Sequence, residues 1–167
     1  MDTWTVALLG DAGVGKTTLA LQVFPNMYDQ TYDPNLDDGP YRKKLIVDNK
    51  MCFIEVIDTR GSEDYDNLRD EWIREAQGFV LIYSVASRSS FDQVEKFHQC
   101  MGRICQESPI FVLVSNKCDK AYEREVSKEE GSTLASQLGC EFIETSAKTA
   151  QNVDRMFLNL IRLLRRS

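Results

Sequence analysis

Apolar residues recur along this chain in two rhythms. Residues 4–9 form an apolar, partly β-branched run that reads as a strand, and residues 78–85 and 110–114 are short, nearly continuous apolar runs, the form of strands buried on both faces of a sheet. Residues 41–47 and 51–57 are further apolar-rich strands, and Asp48-Asn49-Lys50 between them predicts a hairpin. Elsewhere the spacing is helical. Phe91, Val94, Phe97, Met101 and Ile104 line one stripe of a helix opening at Ser89 or Ser90 and reaching Cys105. Val153, Met156, Phe157, Leu160, Ile161 and Leu164 line another, whose Arg162, Arg165 and Arg166 suit the negative end of that helix. Ser127-Lys128-Glu129-Glu130 has the form of a capping box and opens a helix to Leu138, with Gly139 as its stop and residues 140–143 as a last strand. Trp72 and Ile73 belong to a helix that follows a charged stretch, residues 62–70. A first helix after the first strand should end at Phe24, because Pro25 disfavours helical geometry before it.

Strands that alternate with helices predict an α/β fold: a mostly parallel sheet with right-handed crossovers, helices on both faces and the antiparallel hairpin at one edge. The 167 residues suit one domain, 1–167, with no repeats and no internal linker. Ligands of such sheets sit at the carboxyl ends of the strands. Four segments with chemistry in them fall on that rim, after the first strand, the third, Val114 and Ile143. A fifth segment, residues 26–40, carries two prolines and four aspartates and reads as a functional loop.

Composition narrows the partners. A net charge of −6 argues against a general nucleic-acid binder. Cys52, Cys100, Cys105, Cys118 and Cys140 are odd in number and lack a C-x-x-C pair, so no disulfide framework or zinc site is indicated. That suits a reducing, cytoplasmic setting. No apolar run approaches the roughly 18 residues a membrane span needs, and no signal-peptide form opens the chain. His98 is the only histidine, which removes mechanisms needing two.

The chemistry begins at Gly10-Asp11-Ala12-Gly13-Val14-Gly15-Lys16-Thr17, a G-x-x-x-x-G-K-[ST] sequence between a strand and a helix. Gly10, Gly13 and Gly15 can take dihedrals closed to other residues, so that successive N–H groups point inward at a polyphosphate. The helix opening at Lys16 adds its unpaired N–H groups, Lys16 can reach the outer phosphates, and the Thr17 hydroxyl can ligate Mg²⁺. Asp58-Thr59-Arg60-Gly61 has the D-x-x-G form: a carboxylate for a magnesium-bound water and a glycine N–H for a terminal phosphate. Asn116-Lys117-Cys118-Asp119 after a buried strand is more telling. An aspartate accepts two donors in one plane, which guanine offers and adenine does not.

With these motifs in place the whole chain resembles a Ras-family small GTPase of Ras or Rap type. The resemblance rests on the phosphate loop, Tyr32-Asp33-Pro34, Asp58 to Gly61, Asn116 to Asp119, and Glu144-Thr145-Ser146-Ala147-Lys148. It implies a P-loop NTPase three-layer sandwich with a six-stranded sheet and five helices, GTP/GDP and Mg²⁺ as cofactors, and GTP hydrolysis. The resemblance also implies a site. Ala12, Gly13, Val14, Gly15, Lys16, Thr17 and Thr18 would cradle phosphates, with Pro34, Asn35 and Gly61 near the γ-phosphate. Thr17, Asn35 and Asp58 would serve Mg²⁺, Asp58 through water. Asn116, Asp119, Ser146, Ala147 and Lys148 would hold the base, with Tyr28 and Lys117 flanking its ring. Lys16, Arg60, Gly61 and Ser62 would carry hydrolysis.

Four departures from the family pattern lie at the γ-phosphate or the effector edge. Ala12 replaces a glycine and crowds the space of an incoming activator arginine. Asn35 replaces the threonine that completes the Mg²⁺ shell. Ser62 replaces the glutamine that orients the attacking water and is too short to act in the same way. Arg60 replaces a small residue; it either reaches the γ-phosphate as a built-in cation, or lies in solvent or against Glu63 or Asp64, or disturbs the magnesium site and speeds release. The expectation is retained GTP binding with slow intrinsic and activator-stimulated hydrolysis. The alternative is a binding module locked in one nucleotide state, and an ATP-using P-loop kinase stands third, opposed by Asn116 to Asp119.

Exchange factors, GTPase activators and effectors are expected by resemblance. Gly39-Pro40 adds a residue and removes an N–H near the edge strand, so ordinary Ras effectors, which add a strand there beside Asp37 and Asp38, should bind more weakly. Arg165-Arg166-Ser167 is no prenylation box. The expected location is the cytoplasm, or the cytoplasmic face of a membrane through a lipidated tail not among these residues.

Overall fold

The computed structural model describes residues 2–11, 14, 16, 19, 41–58, 66–105, 108–116, 123–145 and 152–166. Within them lie six strands and four helices: β1 (Asp2–Leu9), β2 (Tyr41–Val47), β3 (Lys50–Asp58), α1 (Asp66–Glu75), β4 (Gly78–Ser84), α2 (Arg88–Ile104), β5 (Ile110–Asn116), α3 (Lys128–Leu138), β6 (Glu141–Thr145) and α4 (Val153–Arg166). The expected fifth helix falls mostly outside the described residues. Lys16 and Leu19, which it would contain, have helical backbone.

One six-stranded sheet runs in the order β2-β3-β1-β4-β5-β6. All pairings are parallel except β2 with β3. The hairpin is tighter than its three polar residues suggest, because Lys50 already pairs with Val47 and only Asp48 and Asn49 turn the chain. Both have left-handed backbone, φ 53° and 65°, which matches the strand twist and which Asp and Asn tolerate.

Alternation along each strand splits the core in two. Val6, Leu8, Ile54, Val56, Val80, Ile82, Val112 and Val114 pack beneath Met156, Phe157, Leu160, Ile161 and Leu164 of α4. On the other face Ala7, Leu9, Phe79, Leu81, Tyr83 and Leu113 meet Ile73 of α1, Val94, Phe97 and Met101 of α2, and Leu134 and Ala135 of α3. Gly131 allows α3 to settle there. A β-carbon on it would lie 2.5 Å from Phe142 Cζ and closer still to the Tyr83 hydroxyl.

Element ends shift where side chains decide them. α2 opens one turn earlier than its apolar stripe, because Ser87 caps it by accepting the Ser90 N–H at 3.2 Å. Ser90 itself is buried and accepts the Ser84 N–H at 3.0 Å, closing the turn after β4. At α3 the Ser127–Glu130 capping box is present and Gly139 ends the helix at φ 76°. β5 and β6 run two residues past their apolar runs, to Asn116 and Thr145, which places those two side by side on the rim. Arg162 and Arg165 do more than face a helix end. Arg162 holds Asp48 through two bonds of 2.9 Å, and Arg165 reaches Asp2 at 2.7 Å and the Val47 carbonyl at 2.6 Å, locking α4 to the hairpin. Among the described residues no helix is long and apolar enough to cross a membrane.

Candidate functional site

The carboxyl ends of β1, β3, β4, β5 and β6 share one rim, and the phosphate-loop sequence leaves it directly after β1. Gly10 is buried against β4: a β-carbon there would sit 2.5 Å from the Ile82 carbonyl oxygen. Its backbone is not left-handed, so the requirement at this position is close approach rather than unusual dihedrals, a correction to the sequence expectation. Gly13 and Gly15 lie outside the described residues. Val14 is buried and anchors the loop in the core beneath α4.

Lys16 is only 5% exposed. Its ammonium donates to the Gly10 carbonyl at 2.6 Å, so the cation is held over the loop rather than in solvent. A charge taken this far out of water has to be compensated by oxygen partners, and an outer phosphate supplies them in the strongest form. Asp58 ends β3 beside Leu8 of β1 and is half-buried. A carboxylate is the hard oxygen donor that Mg²⁺ and its waters prefer.

Asn116 joins the two ends of the rim. Its Nδ2 donates to the Val14 carbonyl at 2.9 Å across 102 residues of chain. Its Oδ1 is buried and has no hydrogen-bond partner among the described residues. An orphaned buried acceptor needs a donor, and the site so far described fits a ligand that brings one. Beside it the Thr145 hydroxyl donates to the Ser115 carbonyl at 3.1 Å.

Of the residues expected from the sequence, the structure therefore assembles Val14, Lys16, Asp58 and Asn116 on one rim. Ala12, Gly13, Gly15, Thr17, Thr18, Tyr28, Pro34, Asn35, Arg60, Gly61, Ser62, Lys117, Asp119, Ser146, Ala147 and Lys148 lie outside the described residues, as do Gly39 and Pro40.

Sequence reasoning missed the side chains that brace the rim. Arg88, at the start of α2, forks onto Glu130 of α3 and donates to the Glu125 carbonyl at 2.7 Å, while its own N–H donates to the Glu125 carboxylate at 2.9 Å. The Arg88 guanidinium, with the capping bonds from Ser127, lowers the Glu130 carboxyl to about 2. Nothing in the sequence pairs residues 42 apart; the fold does.

A buried lysine on a glycine loop, a carboxylate on the neighbouring strand and an asparagine amide bridging loop and sheet define a phosphate-loop nucleotide-binding protein of the α/β class. The comparisons with known proteins narrow that class. Residues 5–166 match the Ras family. Ras-like protein 1 of Pyricularia oryzae is 45% identical over 96% of this chain and 74% of its own length. Protein ras-2 of Neurospora crassa is 43% identical over 98% of this chain and 80% of its own, and Ras-like protein B of Aspergillus fumigatus 42% over 99% and 79%. The chain belongs to the Ras family, whose members are GTP-binding switches with GTPase activity.

Proposed function

We propose that this chain binds GTP and GDP with Mg²⁺ and hydrolyses GTP slowly, both alone and with arginine-supplying activators. The observation that carries nucleotide binding is the Asn116 bridge: its N–H holds Val14 of the phosphate-loop sequence while its buried oxygen has no partner among the described residues. In this reading Lys16 neutralises the outer phosphates and Asp58, with Thr17 and Asn35, holds the metal. Mg²⁺, when bound, draws charge from the phosphate oxygens. Asn116 and Asp119, with Ser146, Ala147 and Lys148, select guanine, and Tyr28 and Lys117 sandwich it.

Slow turnover follows from the residues themselves. Ser62 is too short to orient a water as glutamine does, and Ala12 adds a methyl where the family pattern has glycine, which would crowd an external arginine whose contribution in Ras-type enzymes is about 10³–10⁵ in rate. Single-turnover GTP hydrolysis of the purified chain should be slower than that of an ordinary Ras protein, and Ala12→Gly with Ser62→Gln should restore it. A rate equal to ordinary Ras overturns slow hydrolysis, and no turnover with GTP retained through purification identifies a nucleotide-locked binding module instead.

Regulators and effectors of the Ras type are the expected partners, with ordinary effectors weakened at the β2 edge by Gly39-Pro40. Titrating a Ras-binding domain against the GTP-loaded chain tests this; tight binding counts against it. A cytoplasmic location is proposed on cysteine chemistry: Cys52, Cys100, Cys105 and Cys140 are free thiols, and burial pushes Cys140 up to about 11.

A further inference from the structure

β4, β5 and β6 reach the rim in register and carry two polar rows back to back. Ser84, Asn116 and Thr145 stand side by side at the strand ends, and one residue earlier Tyr83, Ser115 and Glu144 form a second row that alternation turns to the opposite face. That face is the one covered by α2 and α3. Tyr83 and Ser115 are fully buried there. Burial, then the Glu144 charge, hold the Tyr83 phenol well above its ordinary pKa.

Glu144 is where this row meets the two segments expected to read the base. Its carboxylate accepts Arg124 Nη2 at 2.6 Å, in a pair whose side chains are 27% and 12% exposed. Arg124 is pinned as well, because its Nε donates to the Val126 carbonyl at 2.7 Å. The N–H groups of Glu125 and Val126 in turn both donate to the Val85 carbonyl, at 2.8 and 3.1 Å. On the other side the Glu144 carbonyl accepts Asn152 Nδ2 at 2.8 Å, from a residue held in left-handed backbone at φ 65°. Arg124 lies eight residues beyond Asn116, the end of β5, and Asn152 seven beyond Thr145, the end of β6. The far ends of both connections are therefore held by one residue.

We propose that Glu144 is a clasp: with its carboxylate on Arg124 and its carbonyl on Asn152, it ties the segment after β5 to the segment after β6 and so sets how long guanine nucleotide stays bound. The clasp rests on the nucleotide reading given above. Glu144 and Arg124 are positioning residues that act through the base-reading segments. Their pair is mostly shielded from water, so cutting it leaves one charge poorly solvated and acts on dissociation.

The test is release of a fluorescent GDP from the whole chain carrying Arg124→Ala, Glu144→Gln, both together, or the exchanged pair Arg124→Glu with Glu144→Arg. Each single variant should release GDP on the order of tenfold faster with little change in association. The double variant should be no faster than the faster single, and the exchanged pair should recover part of the loss, neither of which a loss of general stability would produce. Arg124→Lys, which keeps the charge and loses the fork, should release at an intermediate rate and serves where the alanine variant does not fold. Wild-type release rates in the single variants, or additive effects in the double, overturn the clasp alone. A wild-type chain that does not retain GDP removes the nucleotide reading and the clasp with it.

Discussion

The two ends of the candidate site are held together by different means. At the phosphate end the bonds are local: Lys16 turns back on Gly10 six residues earlier, and Gly10 presses on the adjacent strand. At the end formed by β5 and β6 the bonds that join one strand or loop to another span long stretches of chain. Asn116 reaches Val14 across 102 residues, Thr145 reaches Ser115 across 30, and Arg124 reaches Glu144 across 20. A local site comes with its own few residues and is visible as a motif. A long-range one exists only once the sheet has formed, so its order depends on the rim that carries it.

The largest test of this difference is Gly10→Ala. Its β-carbon would meet a backbone carbonyl of β4, which cannot rotate away, so loop and strand must part. Urea denaturation should show a loss of about 3 kcal/mol. GDP affinity should fall with it. Gly139→Ala is the control for strain without crowding: φ is 76° but nothing lies within 4 Å, and a loss of about 1 kcal/mol is expected. Equal losses would mean that close approach is not what Gly10 supplies.

Next in size is Asn116→Ala, which cuts the two ends apart. It leaves the Val14 carbonyl without its donor, so the chain should lose about 1–3 kcal/mol of stability measured without nucleotide. A residue that touched only the base would leave nucleotide-free stability unchanged, which makes this measurement decisive for the bridge.

The brace between α2 and α3 should respond to acid. Arg88 and the Ser127 cap hold the folded-state Glu130 carboxyl at about 2, below its ordinary 4.5. A depressed pKa stabilises the fold above the unfolded value and loses that effect as pH falls from about 4.5 towards 2. Denaturation of wild type and Arg88→Ala should therefore differ at neutral pH and converge as the pH drops through that window. The pair is about 40% exposed, so the effect is modest and salt weakens it. A difference independent of pH would assign Arg88 to its bonds with Glu125 instead.

How much of this was legible in the sequence follows the same division. Gly10 to Thr17 and Ser127 to Glu130 announce themselves because each works through neighbours in the chain. So do β4 and β5, whose nearly continuous apolar runs require cover on both faces. The run stops at Val114 in sequence while β5 continues to Asn116, since backbone pairing to β6 carries polar residues past the core. Arg124, Asn152 and Arg88 left no signal. Each is a polar residue in a polar stretch, and only the register of β4, β5 and β6 gives it a partner. Gly131 was equally silent, a glycine in a helix whose reason lies on β4 and β6.

The smallest effect probes the buried face of the rim. Tyr83 and Ser115 pair across β4 and β5; their hydroxyls face one another, but neither meets a partner with full hydrogen-bond geometry among the described residues. An unsatisfied buried hydroxyl contributes nothing and costs its lost hydration, so Tyr83→Phe should leave the melting temperature unchanged or raise it, by up to about 1 kcal/mol of stability. The ring keeps its edge-to-face contact with Phe91 at 4.9 Å, so packing is retained. A loss greater than about 1 kcal/mol would show that an internal water bridges the two hydroxyls in solution, since such a water needs at least two polar partners and these supply them. Ser115→Ala should then lose a similar amount, and the double variant no more than either alone, because one water serves both groups.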